Sequence, residues 1–326
     1  MQYPLHVGVA SSEVLRAGVD YPATFQQLQG WFTDDDACRA YLERLRWPDG
    51  FECPACGSSR GWRIASGAWM CTACGRKTSV TAGTIFDKTR TPLATWFAAV
   101  WFVCSQENGV SALGLQRVLG LGSYETAWAW LHKLRRAMVR PERDLLDGLV
   151  EVDETYFGAR ATGRDGRGTG KTLIVIAVEM PPKHLGRVRL ARVPAATGPA
   201  LRGFVNDVVA KGVTVRTDGL SAYRKLTDDG YRHVPINVSS SGELAHIVLP
   251  GVHRVAALLK RWLTGTLHYS VSDKHLDYYL DEFTFRFNRR NARSRGLLFY
   301  RLLEQAVVTN PHPLSALTAE AVDHNM

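Results

Sequence analysis

Apolar positions in this 326-residue chain recur at helical spacing up to about Gly148 and in strand-like runs after it. Thr33-Asp34-Asp35-Asp36 leads into Ala37–Trp47, where acids at the start and Arg39, Arg44 and Arg46 further on suit a helix dipole. Pro92 opens an apolar helix over Leu93–Cys104, rich in Trp and Phe and predicted to be buried. Ser111 is placed to cap a short helix through Leu119, Gly120-Leu121-Gly122 makes a turn, and Ser123 is placed to cap a longer helix, Tyr124–Arg140. On that second helix Ala127, Trp130, Leu131, Leu134 and Met138 form an apolar stripe, with Lys133, Arg135, Arg136 and Arg140 largely off it.

After Gly148 the pattern predicts strands at Leu149–Phe157, Thr172–Met180 and Arg187–Val193, a helix at Gly198–Ala210, a strand at Gly212–Thr217 and a helix at Leu220–Thr227. A Gly- and Arg-rich loop, Gly158 to Lys171, separates the first two strands, and Val252–Leu263 reads as an amphipathic helix just after Pro250-Gly251. Strands followed by alternating helix and strand describe an α/β unit, a mixed sheet flanked by helices. Five segments follow: an N-terminal helical segment (1–47), a cysteine-rich module (48–90), a helical region (91–146), the α/β unit with a basic C-terminal region (147–308) and a tail (309–326).

Cysteine spacing changes the picture most. Cys53-Pro-Ala-Cys56 and Cys71-Thr-Ala-Cys74 offer four thiolates for a closed tetrahedral Zn²⁺ site, and the Gly after each pair permits the tight turn that aims both sulfurs at one metal. With Trp62 and Trp69 between the pairs, the module reads as a zinc ribbon; two redox pairs are the alternative. Only Cys38 and Cys104 lie outside this set, too few for a disulfide scaffold, so a reducing cytoplasm is expected. Met1–Ala10 lacks a basic stretch followed by a long apolar run, so no signal peptide is read. The apolar stretches Trp96–Val103 and Leu173–Val178 are shorter than the roughly 18 residues of a membrane span.

Forty Lys plus Arg against 31 Asp plus Glu give a net charge of +9, which favours a polyanionic partner. The capped helical pair then reads as a helix-turn-helix whose basic second helix enters a DNA major groove; a helical hairpin with a solvated basic face is the alternative.

The candidate chemistry sits in the α/β unit. Alternation puts Glu151 and Asp153 on one face of the first strand and Glu154 on the other. Asp218-Gly219 follows the fourth strand, at the end where open α/β sheets bind ligands. Two converging carboxylates are what two-metal phosphoryl transfer requires, although each alone is equally a strand-end or turn residue. His253 and Lys260 stack two turns apart at the edge of the apolar arc of Val252–Leu263; an ordinary boundary histidine is the alternative.

Taken in order, these residues resemble a bacterial insertion-sequence transposase of the insertion sequence 1595 family. The resemblance covers roughly Phe32 to Val308 and rests on the two Cys-x-x-Cys-Gly knuckles, Ala82-Gly-Thr-Ile-Phe86, Val152-Asp153-Glu154-Thr-Tyr-Phe-Gly158, Thr217-Asp218-Gly219-x-x-x-Tyr223 and the stretch from His275 to Arg290. It implies an RNase-H-like catalytic fold of the DDE type, with Asp153 and Asp218 as the first two ligands of catalytic Mg²⁺ or Mn²⁺. His253 stands at the separation after Asp218 where such enzymes place the third ligand on a helix, and Lys260 matches the basic residue that faces DNA near the cleavage site. His at the third position departs from the commoner Glu, and Glu243 is the rival carboxylate.

The resemblance further implies hydrolysis at the transposon ends, then direct attack of each 3′-hydroxyl on target DNA, without a covalent protein–DNA intermediate. Ribbon and helix-turn-helix would read the terminal inverted repeats, with Lys133, Arg135 and Arg136 on the second helix. Arg286, Arg289 and Arg290 would supply phosphate contacts, while Phe283, Phe285 and Phe287 read as packing. Double-stranded DNA is the expected partner, with a homodimer or higher assembly on it and no membrane role, in a cytoplasmic, nucleoid-associated setting. The competing class is a DNA-binding regulator on an inactive RNase-H-like scaffold; a host nuclease or resolvase of similar fold is a third.

Overall fold

The computed structural model describes residues 15–140, 143–158, 171–236, 245–265 and 273–319. Two short N-terminal helices, α1 (Phe25–Trp31) and α2 (Asp35–Arg46), precede a three-stranded antiparallel ribbon of β1 (Gly61–Arg63), β2 (Trp69–Cys71) and β3 (Lys77–Thr78). Then come α3 (Leu93–Ser105), α4 (Ala112–Leu119) and α5 (Tyr124–Ala137). As the sequence predicts, the side chains of Ser111 and Ser123 accept the N–H groups of Gly114 and Thr126, and Gly120 closes α4 at φ 63°, the left-handed conformation that glycine adopts without strain. The second helix ends at Ala137, one turn short of the expected Arg140.

The α/β unit holds β4 (Leu149–Phe157), β5 (Thr172–Glu179), β6 (Val188–Val193), α6 (Gly198–Val208), β7 (Thr214–Thr217) and β8 (Arg232–Pro235). Strand order is β6-β5-β4-β7-β8, with β4–β5 and β5–β6 antiparallel and β4–β7 and β7–β8 parallel. Three antiparallel strands extended by two parallel ones form the RNase-H-like sheet. The segment expected as a helix at Leu220–Thr227 is instead a 3₁₀ turn, Ser221–Leu226, and the edge strand β8 was not anticipated. Helices α7 (Ala245–Val248), α8 (Pro250–Gly265), α9 (Leu276–Asn288), α10 (Arg295–Ala306) and α11 (Leu314–Thr318) complete the chain.

Strand alternation gives the sheet two cores. Val150 and Val152 of β4 and Leu173, Val175 and Ala177 of β5 pack under α6 and Tyr223. Ile174, Ile176 and Val178 of β5 face the other way, against Val252, Val255 and Leu259 of α8 and Leu280 and Phe283 of α9. Strand β5, between β6 and β4, is buried on both faces, hence its unbroken apolar run.

A separate helical body forms around α3, whose apolar residues point in almost every direction because helices surround it. Trp96 of α3 stacks on Trp130 of α5 with ring centres 3.6 Å apart. Asp35 of α2 accepts the N–H of Leu93 at 2.7 Å, holding the start of α3 from outside that helix. Helix α10, grouped by sequence with the α/β unit, packs into this body through Leu298, Phe299, Leu302 and Leu303. A Cβ at Gly296 would lie 1.8 Å from the Pro22 carbonyl oxygen, so only glycine lets α10 approach the N-terminal segment so closely.

Candidate active site

Parallel pairing of β4 and β7 sets Glu151 opposite Arg216. Asp153 lies two residues further along β4, and Asp218 follows the last residue of β7, near enough for its charge to act on Asp153. Asp218 sits in a tight turn: its Oδ1 accepts the N–H of Leu220 at 2.9 Å, and Gly219 takes φ 81°. Asp153 Oδ1 accepts the N–H of Glu154 at 2.8 Å, while its Oδ2 lies 3.7 Å from Nε2 of His253, carried in by α8. The Asp153 and His253 side chains are 18% and 34% exposed, so the pair lies within reach of a substrate.

Burial pushes the Asp153 carboxyl up to about 7; the N–H of Glu154 opposes this, and the charges of Asp218, Glu154 and Glu151 add to it. A crowd of hard oxygen donors of one sign fits a divalent cation, which would relieve their repulsion. The imidazole is a borderline donor that suits Mn²⁺ better than Mg²⁺.

Two further carboxylates shape the site. On the opposite face of β4, Glu154 Oε2 accepts the hydroxyl of fully buried Tyr223 at 2.9 Å. Burial and the neighbouring carboxylates hold that phenol strongly protonated. On the Asp153 face, fully buried Glu151 accepts the N–H groups of Gly251 and Val252 through Oε2, at 2.7 and 3.1 Å. Burial raises its pKa, and those two N–H groups pull it back. Alternation put Glu151 on the Asp153 face, but no sequence signal named its partners on a distant helix. Glu243 lies outside the described residues, as do loop residues 159–170.

In the ribbon the ligand atoms of Cys53, Cys56, Cys71 and Cys74 all lie within 4.8 Å of one another. Gly57 and Gly75 both adopt φ 70°, and their N–H groups return to the carbonyls of Cys53 and Cys71 at 2.8 and 3.0 Å, forming two knuckles. Four sulfurs gathered by paired knuckles fit a closed structural Zn²⁺ site. The supporting core is small: Phe51 stacks on Trp69 at 4.9 Å, and Cys53 and Cys71 are buried beside them.

Residues 145–288 match the family model for the ISXO2-like transposase domain, and residues 33–77 match that for the transposase zinc-ribbon domain. The chain belongs to the insertion sequence 1595 family of transposases. It is also 28% identical over 276 residues to an uncharacterized protein in transposable element ISH50 of Halobacterium salinarum, an alignment covering 78% of this chain and 91% of that protein. A DDE-type transposase domain makes it a polynucleotidyl transferase in kind, and the ribbon points to DNA as partner. Among the described residues no helix is long and apolar enough to cross a membrane.

Within this transposase the basic residues expected at DNA divide into four groups. Arg136 and Lys260 are exposed. Lys133 is half-buried, its Nζ 6.0 Å from the Trp96 ring, with its pKa lowered by burial. Arg135 and Arg286 are corrections. Arg135 is 2% exposed and paired with Glu282, and Arg286 shares that carboxylate and donates to the carbonyls of Val103 and Gln106. A guanidinium spent on core acceptors cannot reach a phosphate. Arg289 and Arg290 stack on Phe285 and Phe287 at 4.2 and 4.1 Å, and Arg290 also donates to the carbonyl of Phe287 at 2.7 Å. Phe283, Phe285 and Phe287 are buried, as packing residues should be.

Proposed function

We propose that this transposase binds the terminal inverted repeats of its element, cleaves at the ends and joins the exposed 3′-hydroxyls to target DNA by divalent-metal-dependent phosphoryl transfer. One observation carries the reading: His253 of α8 comes within 3.7 Å of Asp153, which lies on the strand beside the one that Asp218 follows. Mg²⁺ or Mn²⁺ held by Asp153, Asp218 and His253 would supply an activated water or 3′-hydroxyl and neutralise charge at the scissile phosphate.

The chain's own residues do the positioning. The N–H groups of Glu154 and Leu220 each fix one carboxylate oxygen of the aspartate pair, so both side chains enter the reaction already oriented. Lys260, exposed two turns along α8 from His253, contributes a cation for the DNA backbone near the cleavage point. The ribbon and the capped hairpin α4–α5 read the repeats, with Arg136 at the DNA surface and Lys133, Arg289 and Arg290 beside it. Bringing two ends together calls for at least two copies of the chain.

Asp153→Ala and Asp218→Ala test the reading on DNA carrying the element's ends, with Mg²⁺ and Mn²⁺ supplied separately. Both variants are expected to bind ends and to lose cleavage and strand transfer; full activity in either removes that residue from the site. A regulator on an inactive scaffold is the second reading, favoured by the imidazole at the third position. It predicts end binding without cutting by the unaltered protein in the same assay.

A further inference from the structure

Glu151 has no solvent exposure, yet its carboxylate spans from the central strand to the first turn of a helix about 100 residues later in the chain. Its Oε2 accepts two successive N–H groups, Gly251 at 2.7 Å and Val252 at 3.1 Å, immediately before His253. The backbone is drawn in so tightly that a Cβ on Gly251 would lie 2.3 Å from Met180 Sδ and 2.8 Å from that same Oε2. The second oxygen, Oε1, is buried with no hydrogen-bond partner. Burying a carboxylate with only half its acceptor capacity used is costly. A local Ser or Asp would cap the helix at less cost, but it would not fix the helix to the sheet.

We infer that Glu151 is a positioning residue: a carboxylate two residues before Asp153 on the same face of β4 clamps the N-terminus of α8, and so sets the distance and direction of His253 relative to Asp153. A single strand segment then carries one member of the site and the anchor of another. Movement at the start of α8 reaches His253 directly, because Val252 alone separates it from Gly251. The helix dipole adds to the clamp, since its positive end meets the Glu151 charge. This inference rests on Asp153 and His253 belonging to one catalytic site.

The whole chain tests it with Glu151→Met, which keeps the bulk and removes the acceptor, Glu151→Gln, which keeps one acceptor oxygen, and Gly251→Ala, whose Cβ must displace the ends of the Met180 and Glu151 side chains. Three readouts are compared: end-DNA cleavage, Mn²⁺ binding measured with MnCl₂ alone, and amide hydrogen exchange over residues 249–253. Expected for Glu151→Met and Gly251→Ala is cleavage lower by about 100-fold in kcat at unchanged end-DNA affinity, the scale of an ångström-level misplacement. Weaker Mn²⁺ binding and faster exchange at residues 251 and 252 should accompany it. Glu151→Gln is expected to keep those amides protected and cleavage within about tenfold of the unaltered protein.

Glu151→Met with unaltered Mn²⁺ binding and cleavage overturns the inference. So does Glu151→Gln with protected amides and cleavage lost by about 100-fold, since the charge would then act directly and not through the helix. Should Glu151→Met fail to fold, Glu151→Gln and Gly251→Ala decide by the same comparison. Asp153→Ala run alongside separates the two claims. If it stays active, the catalytic reading fails; if it is inactive while the Glu151 variants match the unaltered protein, only the clamp fails.

Discussion

Arg135 and Glu282 meet at 2.7 Å, Nε to Oε2, with both side chains only 3% exposed, and so join the second helix of the capped hairpin to α9. The other Glu282 oxygen accepts Nε and Nη2 of Arg286 at 2.8 and 2.7 Å, and Arg286 continues to carbonyls at the end of α3. Burial would raise the Glu282 pKa, but the two guanidinium groups overcome it and hold the carboxyl below its ordinary value. The element that reads as the DNA reader is thereby fixed to a helix that also packs on the catalytic sheet.

Removing Glu282 leaves the buried Arg135 charge without its carboxylate partner. Glu282→Ala is expected to cost about 3–5 kcal/mol, read as a lowered urea midpoint. Arg135→Met should cost less, because Glu282 keeps Arg286 on its other oxygen. Unchanged midpoints would mean that the pair does not hold the helices together.

Arg136, the next residue on the same helix, is exposed. Arg136→Ala should leave stability within about 0.5 kcal/mol of the unaltered protein. End-DNA binding should weaken, and the slope of log affinity against log salt should fall by about one. An unaltered slope would take Arg136 off the DNA surface.

His132 is fully buried, with both ring nitrogens unpaired, among the rings of Trp128, His275, Tyr278 and Tyr279. Burial drives its pKa from 6.5 down to about 2, with the charge of Arg135 adding to the effect. Below pH 6.5 the unfolded chain takes a proton here that the folded chain refuses. Stability present above that pH is therefore lost on acidification, at about 1.4 kcal/mol per pH unit until the folded pKa is reached. His132→Phe should flatten this slope between pH 7 and 5, and denaturant midpoints across that range check it. An equally steep slope in the variant would assign the acid sensitivity elsewhere.

Zinc removal should undo the ribbon and spare the sheet. The ribbon core amounts to Phe51, Cys53 and Cys71 with Trp47 and Trp69 against them, too small to stand without the metal. Cys56→Ser, or chelation, is expected to release zinc, break the Phe51–Trp69 stack as seen in Trp fluorescence, and weaken end binding. The thermal transition of the α/β unit should persist. Retained zinc with unaltered binding in Cys56→Ser would contradict this.

Local features were legible in the sequence because their causes are local. Ser111 and Ser123 cap from one residue outside their helices, the paired cysteines need only tight turns, and β4 spans the Leu149–Phe157 stretch that the sequence predicts as a strand. The apolar arc of α8 also lies where periodicity places it, with Val252, Val255, Leu259 and Leu263 buried. What stayed hidden depends on partners far along the chain. Arg135 lies off the apolar stripe and so resembled a solvated cation; only Glu282 on a later helix draws it inside. Glu151 looked like a spare carboxylate until Gly251 and Val252 arrived beside it. β8 is short and largely exposed, with too little apolar alternation to mark it.

The seating of α10 against α2 and α3 has a consequence for how the protein is made. The catalytic sheet lies between two stretches of chain that together build the helical body, so the body's first part leaves the ribosome without the residues that close it. Those early helices must wait, their apolar faces uncovered, until Leu298 through Val307 emerge, by which time the sheet has had time to form. A polypeptide truncated before that point would carry the ribbon cysteines and every residue proposed for the catalytic site, and would still expose an aggregation-prone surface.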